Sequence, residues 1–326
     1  MAHSLTPRDD ILTRNYINIM QTFQVETTDK GQRLDKWLLT KLPGFSRSYL
    51  QKAVKSGAIL VNDKTVAPHF FLKGDEIITA DITAPIRPNV APNTEVKFKI
   101  IDEAPDYIVL EKPANLAVHP AAGLNEPTLV DGLLAKYPEI SNVGDDKLRP
   151  GIVQRLDKDV SGLMVVARTE AMFNHLKEQF KNHSIDKEYV ALVHGVMTPI
   201  QEHGIIDKPV GRSAADGRRM AAQTDEHSIG QEAKTEYWVQ ERLRHHTLLR
   251  VKIHTGRTHQ IRVHLNSLGF PLAGDKIYTN KRIKLAELGR IFLHANKLGF
   301  KDLQNQRQEY TSQLPEELDK FFKSLH

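Results

Sequence analysis

The chain has 326 residues, 40% hydrophobic and 26% charged, with a formal net charge of +5 and no cysteine. That length suffices for two domains, and the composition is that of an ordinary globular protein with order expected except at the ends. Disulfides, thiolate metal sites and a cysteine nucleophile are excluded, so a carboxylate becomes the more attractive reactive group by elimination.

Residues 1–22 are polar, lack periodicity and read as a flexible tail. No apolar stretch approaches the roughly 20 residues of a membrane span, so a cytoplasmic protein with no membrane partner is expected. A small α+β module is expected over residues 23–82. Ser46 is placed as the N-cap of a helix that turns Tyr49, Leu50, Ala53 and Val54 inward, and Gly57 as the residue ending it. Asn62-Asp63 then turns a hairpin between residues 59–61 and 65–66. From Arg33 to Ala80, eight Lys or Arg stand against four Asp or Glu, so much of the positive excess sits here and suits a polyanion. The order of Arg33-Leu-Asp-Lys-Trp-Leu-Leu, the Ser46-Arg-Ser helix, Gly57 and the Val61-Asn62 hairpin resembles the alpha-L RNA-binding module named after a small-subunit ribosomal protein. The resemblance implies that Arg33, Lys36, Arg47 and Lys52 lie along an RNA-facing surface.

Residues 83–97 include Pro85, Pro88 and Pro92 with little apolar periodicity, and read as a semi-extended linker. From residue 98 to 326, strands mix with short helices without an internal repeat, which predicts one α+β domain. Within it, Arg155 to Gly162 reads as a loop feeding a buried strand at Leu163 to Ala167, with Asp157 at the loop edge where a reactive carboxylate could sit. His119 serves equally as a core histidine or a site residue. Arg212 to Arg219 reads as a mobile loop near a polyanion, and Lys281 to Lys284 as a solvated face.

Residues 242–264 carry six Lys or Arg, five His and no acid. His254, His259 and His264 are five apart without a cysteine or acidic companion, so no metal is assigned. A basic groove is expected instead. Leu248, Arg250, Lys252 and His254 alternate along one strand, Gly256 opens a turn, and a helix starts at Thr258. Arg257 and His259 are candidates for phosphate contacts.

Four segments together resemble the RluA-type pseudouridine synthases: Glu111-Lys-Pro-Ala-Asn-Leu-Ala-Val-His-Pro120; Arg155-Leu-Asp157 with Ser161-Gly162; Lys187-Glu-Tyr189-Val-Ala-Leu-Val-His-Gly195; and His254 to His264 followed by Gly274-Asp275 and Leu293-His-Ala295. The alpha-L module ahead of them is that family's common domain order. Gln154 stands where the family usually has His, and Tyr278-Thr279 where it usually has Tyr-Gly.

The resemblance implies an α+β catalytic domain on a mixed, mainly antiparallel sheet with flanking helices, and conversion of uridine to pseudouridine in RNA without a cofactor. It implies Asp157 as the essential carboxylate, Tyr189 stacking on the base and assisting proton transfer, and Arg262 pairing with Asp157. Arg155 would occupy the space vacated when the base leaves its helix. A carboxylate held ionised by a nearby cation can attack or accept a proton, and the flipped base gains stacking energy on an aromatic ring. Large-subunit ribosomal RNA, within assembling particles or free, is the expected partner of a monomer. Transfer RNA is the alternative substrate, and a catalytically silent ribosome-assembly factor is the alternative function, to which Gln154 is the pointer.

Overall fold

The computed structural model describes residues 16–42, 45, 47–85, 90–120, 126–213, 216–217, 219–223, 230–279 and 288–326. They fall into two units, the first ending at residue 85 and the second beginning at residue 90.

The first unit consists of β1 (Tyr16–Gln24), α1 (Leu34–Lys41), α2 (Arg47–Ser56), β2 (Ile59–Val61) and β3 (Ile77–Pro85). Its antiparallel sheet has the order β1-β3-β2. Leu34, Trp37 and Leu38 of α1 and Leu50, Ala53 and Val54 of α2 are buried with Ile78, Ala80 and Ile82 of β3. Spacings of three and four on the helices, against period two on the strand, account for this single core.

Two expectations change here. Residues 16–22 are not a free tail, because β1 pairs with β3 along its whole length. The expected hairpin does not form: Asn62 and Asp63 do turn with positive φ, but the return is a single bridge at Lys64, and β2 pairs with β3 instead. A three-residue strand gains more ladder bonds from the long β3 than from a two-residue return. The expected cap Ser46 and residues 1–15 lie outside the described residues.

The second unit opens with β4 (Lys99–Glu103), β5 (Tyr107–Lys112), α3 (Leu129–Lys136), β6 (Ser161–Ala167), α4 (Glu170–Lys181) and β7 (Asp186–His194). There follow β8 (His203–Asp207), β9 (Val210–Arg212), β10 (Met220–Ala222), β11 (Gly230–Gln231), β12 (Lys234–Arg242) and β13 (His246–Ile253). The unit ends with α5 (Gln260–Ser267), β14 (Leu293–Lys301), β15 (Arg307–Thr311) and α6 (Glu316–Lys323). The main sheet runs β4-β5-β6-β14-β7-β13-β12-β8, with β15 on β14, and only the short β6–β14 pairing is parallel. The fold is therefore α+β on a mixed, mainly antiparallel sheet.

β6 is buried at every position, which explains its unbroken apolar run. Gly162 sits where β6 meets β14. At its φ of +130°, a Cβ would lie 2.3 Å from the Ala295 carbonyl oxygen and 2.5 Å from the Ala295 nitrogen, so only glycine permits this approach.

Part of the Pro-containing stretch belongs to this unit rather than to a free linker. The Ala91 N–H donates to the Asp131 carboxylate and the Asn93 N–H to the Asp131 carbonyl, fixing residues 91–93 on the first turn of α3. Residues 83–85 of that stretch end β3 of the first unit, and residues 86–89 lie outside the described residues, as do residues 281–284.

Candidate active site

Asp157 stands on the loop before β6, where its carbonyl accepts the Val160 N–H to close a tight turn. Lys112, fully buried at the end of β5, ties this turn down by donating to the carbonyls of Pro113, Leu116 and Lys158. Burial, followed by the charge of Arg290, lowers its ammonium to about 7.

The Asp157 carboxylate accepts a hydrogen bond from Arg262 Nη1 at 3.1 Å. Arg262 is 3% exposed on α5, and its other face is gripped by Asp275 in a two-pronged pair, Nε to Oδ2 at 2.8 Å and Nη2 to Oδ1 at 3.0 Å. Burial opposes the Arg262 charge, but Asp275 and then Asp157 outweigh it and hold the guanidinium above its ordinary value. Asp275 Oδ1 also accepts the N–H groups of Ile277 and Tyr278. Gly274 makes this corner possible, since at φ +77° a Cβ there would lie 2.0 Å from the Arg290 carbonyl oxygen.

Tyr278 completes the frame. Its ring lies 4.9 Å beneath the Arg262 guanidinium, and its hydroxyl bonds His259 Nδ1 at 2.8 Å. His259 takes the left-handed conformation just before α5, an unusual state for a residue with a side chain. Its Nε2 comes within 3.8 Å of Asp157. Burial lowers the His259 imidazole, with the Asp157 charge opposing that shift.

Tyr189 of β7 faces the same space. Burial, then the charge of Asp157, raises its phenol, so it is neutral at neutral pH and able to donate. Asp157, Tyr189, Arg262, Arg155, Arg257 and His259 all line one open cavity of about 610 Å³, joined by His119, Gln154 and Lys187. Arg155 is exposed and reaches Thr258 Oγ1, while Arg257 Nε donates to the Glu232 carbonyl. His119 Nδ1 and Gln154 Nε2 are buried without a hydrogen-bond partner among the described residues.

Other sequence readings meet a different arrangement. Arg250 pairs with Glu188 and Lys252 with Asp186, so these cations are partly neutralised rather than free to form a basic groove, while His254, past the end of β13, lines the cavity and hydrogen-bonds Glu236. The register explains it: Tyr189 is opposite Val251 and Glu188 opposite Lys252, so the two sets take opposite sheet faces. His264 is buried against Thr235 and the Lys208 carbonyl. The helix begins at Gln260 rather than Thr258, because Gln260 braces the preceding loop through Thr255 Oγ1 and the Arg257 N–H. Of the Arg212–Arg219 stretch, Arg212 lies in β9, and part of the rest is outside the described residues.

In the first unit, Lys36 and Lys52 are exposed. Arg33 and Arg47 are partly exposed, but both donate to Asp35, which is fully buried and also accepts from Gln51. Burial works to raise the Asp35 carboxyl, and the bonds from Arg47, Gln51 and Arg33 overcome it and hold it far below the ordinary range. These arginines therefore have a structural duty as well as exposed surface.

Comparison with known proteins gives the frame a lineage. Residues 106–267 match the family model described as RNA pseudouridylate synthase, and residues 32–78 match the S4 domain. A relative in Aquifex aeolicus, an uncharacterized RNA pseudouridine synthase, is 40% identical over 265 residues, covering 80% of this chain and 81% of the relative. The chain belongs to the RNA pseudouridylate synthase family. It is thus an RNA pseudouridine synthase with an N-terminal S4 domain. The Xanthomonas campestris ribosomal large subunit pseudouridine synthase D is 38% identical over 271 residues, covering 83% of this synthase and 78% of that one. The solved structure of human RNA pseudouridylate synthase domain containing 1 shares the fold at 24% identity, with a TM-score of 0.56 over 72% of this chain and 96% of that chain.

Asp275 and Tyr278, which hold Arg262, and Lys112, which ties down the Asp157 turn, are given no role by sequence reasoning. Asp275 and Lys112 stand inside the family-like motifs, and Tyr278 follows shortly after one of them. Membership of those motifs is the only signal they carry, because their contacts arise from packing between distant segments.

Proposed function

We propose that this synthase isomerises specific uridines of large-subunit ribosomal RNA using Asp157, without a cofactor, on a base turned out of its stack. The carrying observation is the Asp157 carboxylate at the cavity wall, held by Arg262, which is itself clamped by buried Asp275. The reaction breaks the N1–C1′ bond, forms C5–C1′, removes the C5 proton and leaves a proton on N1, with no net redox change. Attack by the carboxylate on the sugar or on the base, or removal of a sugar proton by it, all lead to that product and all require a fixed carboxylate.

In this reading Tyr189 stacks on the detached uracil and assists proton transfer. Base–aromatic stacking of about 1–3 kcal/mol helps offset unstacking of the target. Arg155, exposed at the mouth, takes the place of the departed base, while Arg257 and the S4 domain's Lys36, Lys52, Arg33 and Arg47 contact the backbone. His259, set against Asp157 and Tyr278, belongs to the carboxylate frame as much as to RNA contact. The ribosomal substrate is favoured by relatives named as large-subunit synthases.

Purified protein incubated with large-subunit ribosomal RNA and, separately, with transfer RNA tests the reading. Pseudouridine in the first alone is expected, with Asp157→Asn binding the RNA within about threefold of wild type yet giving no product. Product from the variant would remove Asp157 from its role, and product in transfer RNA alone would change the substrate.

A further inference from the structure

Among the described residues that line the cavity, one lysine or arginine has neither a hydrogen-bond nor an ion-pair partner. Arg262 is paired with Asp157 and Asp275, Arg149 with Asp146, and Lys181 with Glu178, while Arg155 and Arg257 donate to neutral oxygens. Lys187 has no hydrogen-bond or ion-pair partner among the described residues. Its Nζ lies 4.8 Å over the Phe180 ring, and a Cβ on Gly256 would stand 3.6 Å from it. Burial alone lowers this ammonium to about 8, so no carboxylate compensates the loss of water around it.

Lys187 and Tyr189 are two positions apart on β7. They share a sheet face at about 7 Å separation, the span of two residues in a strand. Both line the cavity. A cation kept partly dry beside an aromatic ring, with no internal counter-ion, is suited to an anion that arrives with the substrate. Uridine is neutral at physiological pH, and the anion an RNA chain brings is its phosphodiester.

We propose that Lys187 is a positioning residue that receives the backbone phosphodiester adjoining the base held against Tyr189. This rests on the reading of the cavity as the uridine site. The ammonium fixes the nucleotide at its backbone while the tyrosine fixes it at its base, so the sugar between them is brought to Asp157. The Phe180 ring holds the ammonium by cation–π attraction without neutralising it, and the small Gly256 leaves the approach open.

The test uses the full chain and a hairpin from large-subunit ribosomal RNA in which a single uncharged methylphosphonate is moved one linkage at a time through the loop. Wild type, Lys187→Met and Lys187→Arg are compared for Kd, salt dependence and turnover. Lys187→Met is expected to weaken binding about tenfold, the scale of one charge-assisted hydrogen bond, and to reduce the salt slope by about 0.7. Lys187→Arg should recover most of the affinity. At one linkage the methylphosphonate should weaken wild type by the same factor and leave Lys187→Met unchanged.

Undiminished affinity and salt slope in Lys187→Met, or equal losses in both proteins at every linkage, would overturn the proposal. A purely structural role would lower thermal stability in Lys187→Met and leave the linkage dependence as in wild type. If wild type forms no pseudouridine but the linkage effect is present, the uridine reading fails and the phosphate site stands. If wild type turns over without a linkage effect, the uridine reading stands and the phosphate site fails.

Discussion

Asp275→Asn should disable this enzyme without touching substrate. In the native frame Asp275 is fully buried and accepts four hydrogen bonds, two from Arg262 and two from the backbone of Ile277 and Tyr278. An amide keeps the shape but turns one oxygen into a donor, which must then face a guanidinium or a backbone N–H. Breaking a buried pair costs about 3–5 kcal/mol, an upper bound here because Arg262 keeps Asp157 as a second partner. Arg262→Met should cost a similar amount, because it strands Asp275 and releases Asp157 together. The double variant removes both charges, so its loss should fall short of the sum of the singles by about 2 kcal/mol or more. Turnover should drop about a hundredfold in Asp275→Asn, the scale of a misplaced reacting group, and stay low in the double variant. Urea unfolding read by hydrogen exchange in β7 and β13 isolates the second unit. A loss under about 1 kcal/mol in Asp275→Asn, additive losses within about 0.5 kcal/mol, or wild-type turnover would refute the clamp.

Replacing Gly162 with Ala should force β6 from β14 and cost about 3 kcal/mol or more, read by urea unfolding; a loss under about 1 kcal/mol would show that the sheet relaxes there. Lys36→Gln with Lys52→Gln should flatten the salt dependence of RNA binding by about 1.4 with unchanged melting, whereas Arg33→Ala with Arg47→Ala should unfold the first unit by stranding Asp35. An unchanged slope in the lysine pair would remove that surface from the interface. His294 is buried between Ser161 and Ser312, and burial, then the Arg290 charge, lowers its imidazole to about 4 from an ordinary value of 6.5. The unfolded chain therefore binds this proton first. Stability is complete above about pH 6.5 and falls as pH drops towards 4, by about 2 kcal/mol between pH 7 and 5. His294→Gln should reduce the pH 7-to-5 loss by that amount in urea titrations, and an identical loss would contradict it.

The sequence makes some of this legible for identifiable reasons. The run Leu163 to Ala167 is apolar at successive positions because β6 is covered on both faces, and the structure extends it only to Ser161. Asp157 and Arg262 stand in recognisable motifs, and they do meet. β1 escapes the pattern although Ile17, Ile19 and Phe23 alternate, because polar residues interrupt the alternation along this edge strand. Asp275 could not be assigned to Arg262, 13 positions earlier, without knowing that the corner at Gly274 folds back on α5. Counting charges mistakes Arg250 and Lys252 for open groove, since their acidic partners sit across the sheet at Glu188 and Asp186. For the same reason Arg33 and Arg47 read as surface, although Asp35 lies buried between them.

The most direct test maps pseudouridine in ribosomal and transfer RNA from cells lacking this gene, complemented by wild type or by Asp157→Asn. Sites in large-subunit ribosomal RNA should vanish in the deletion, return with wild type and stay absent with Asp157→Asn. Maps unchanged by the deletion, or sites restored equally by the variant, would contradict the account.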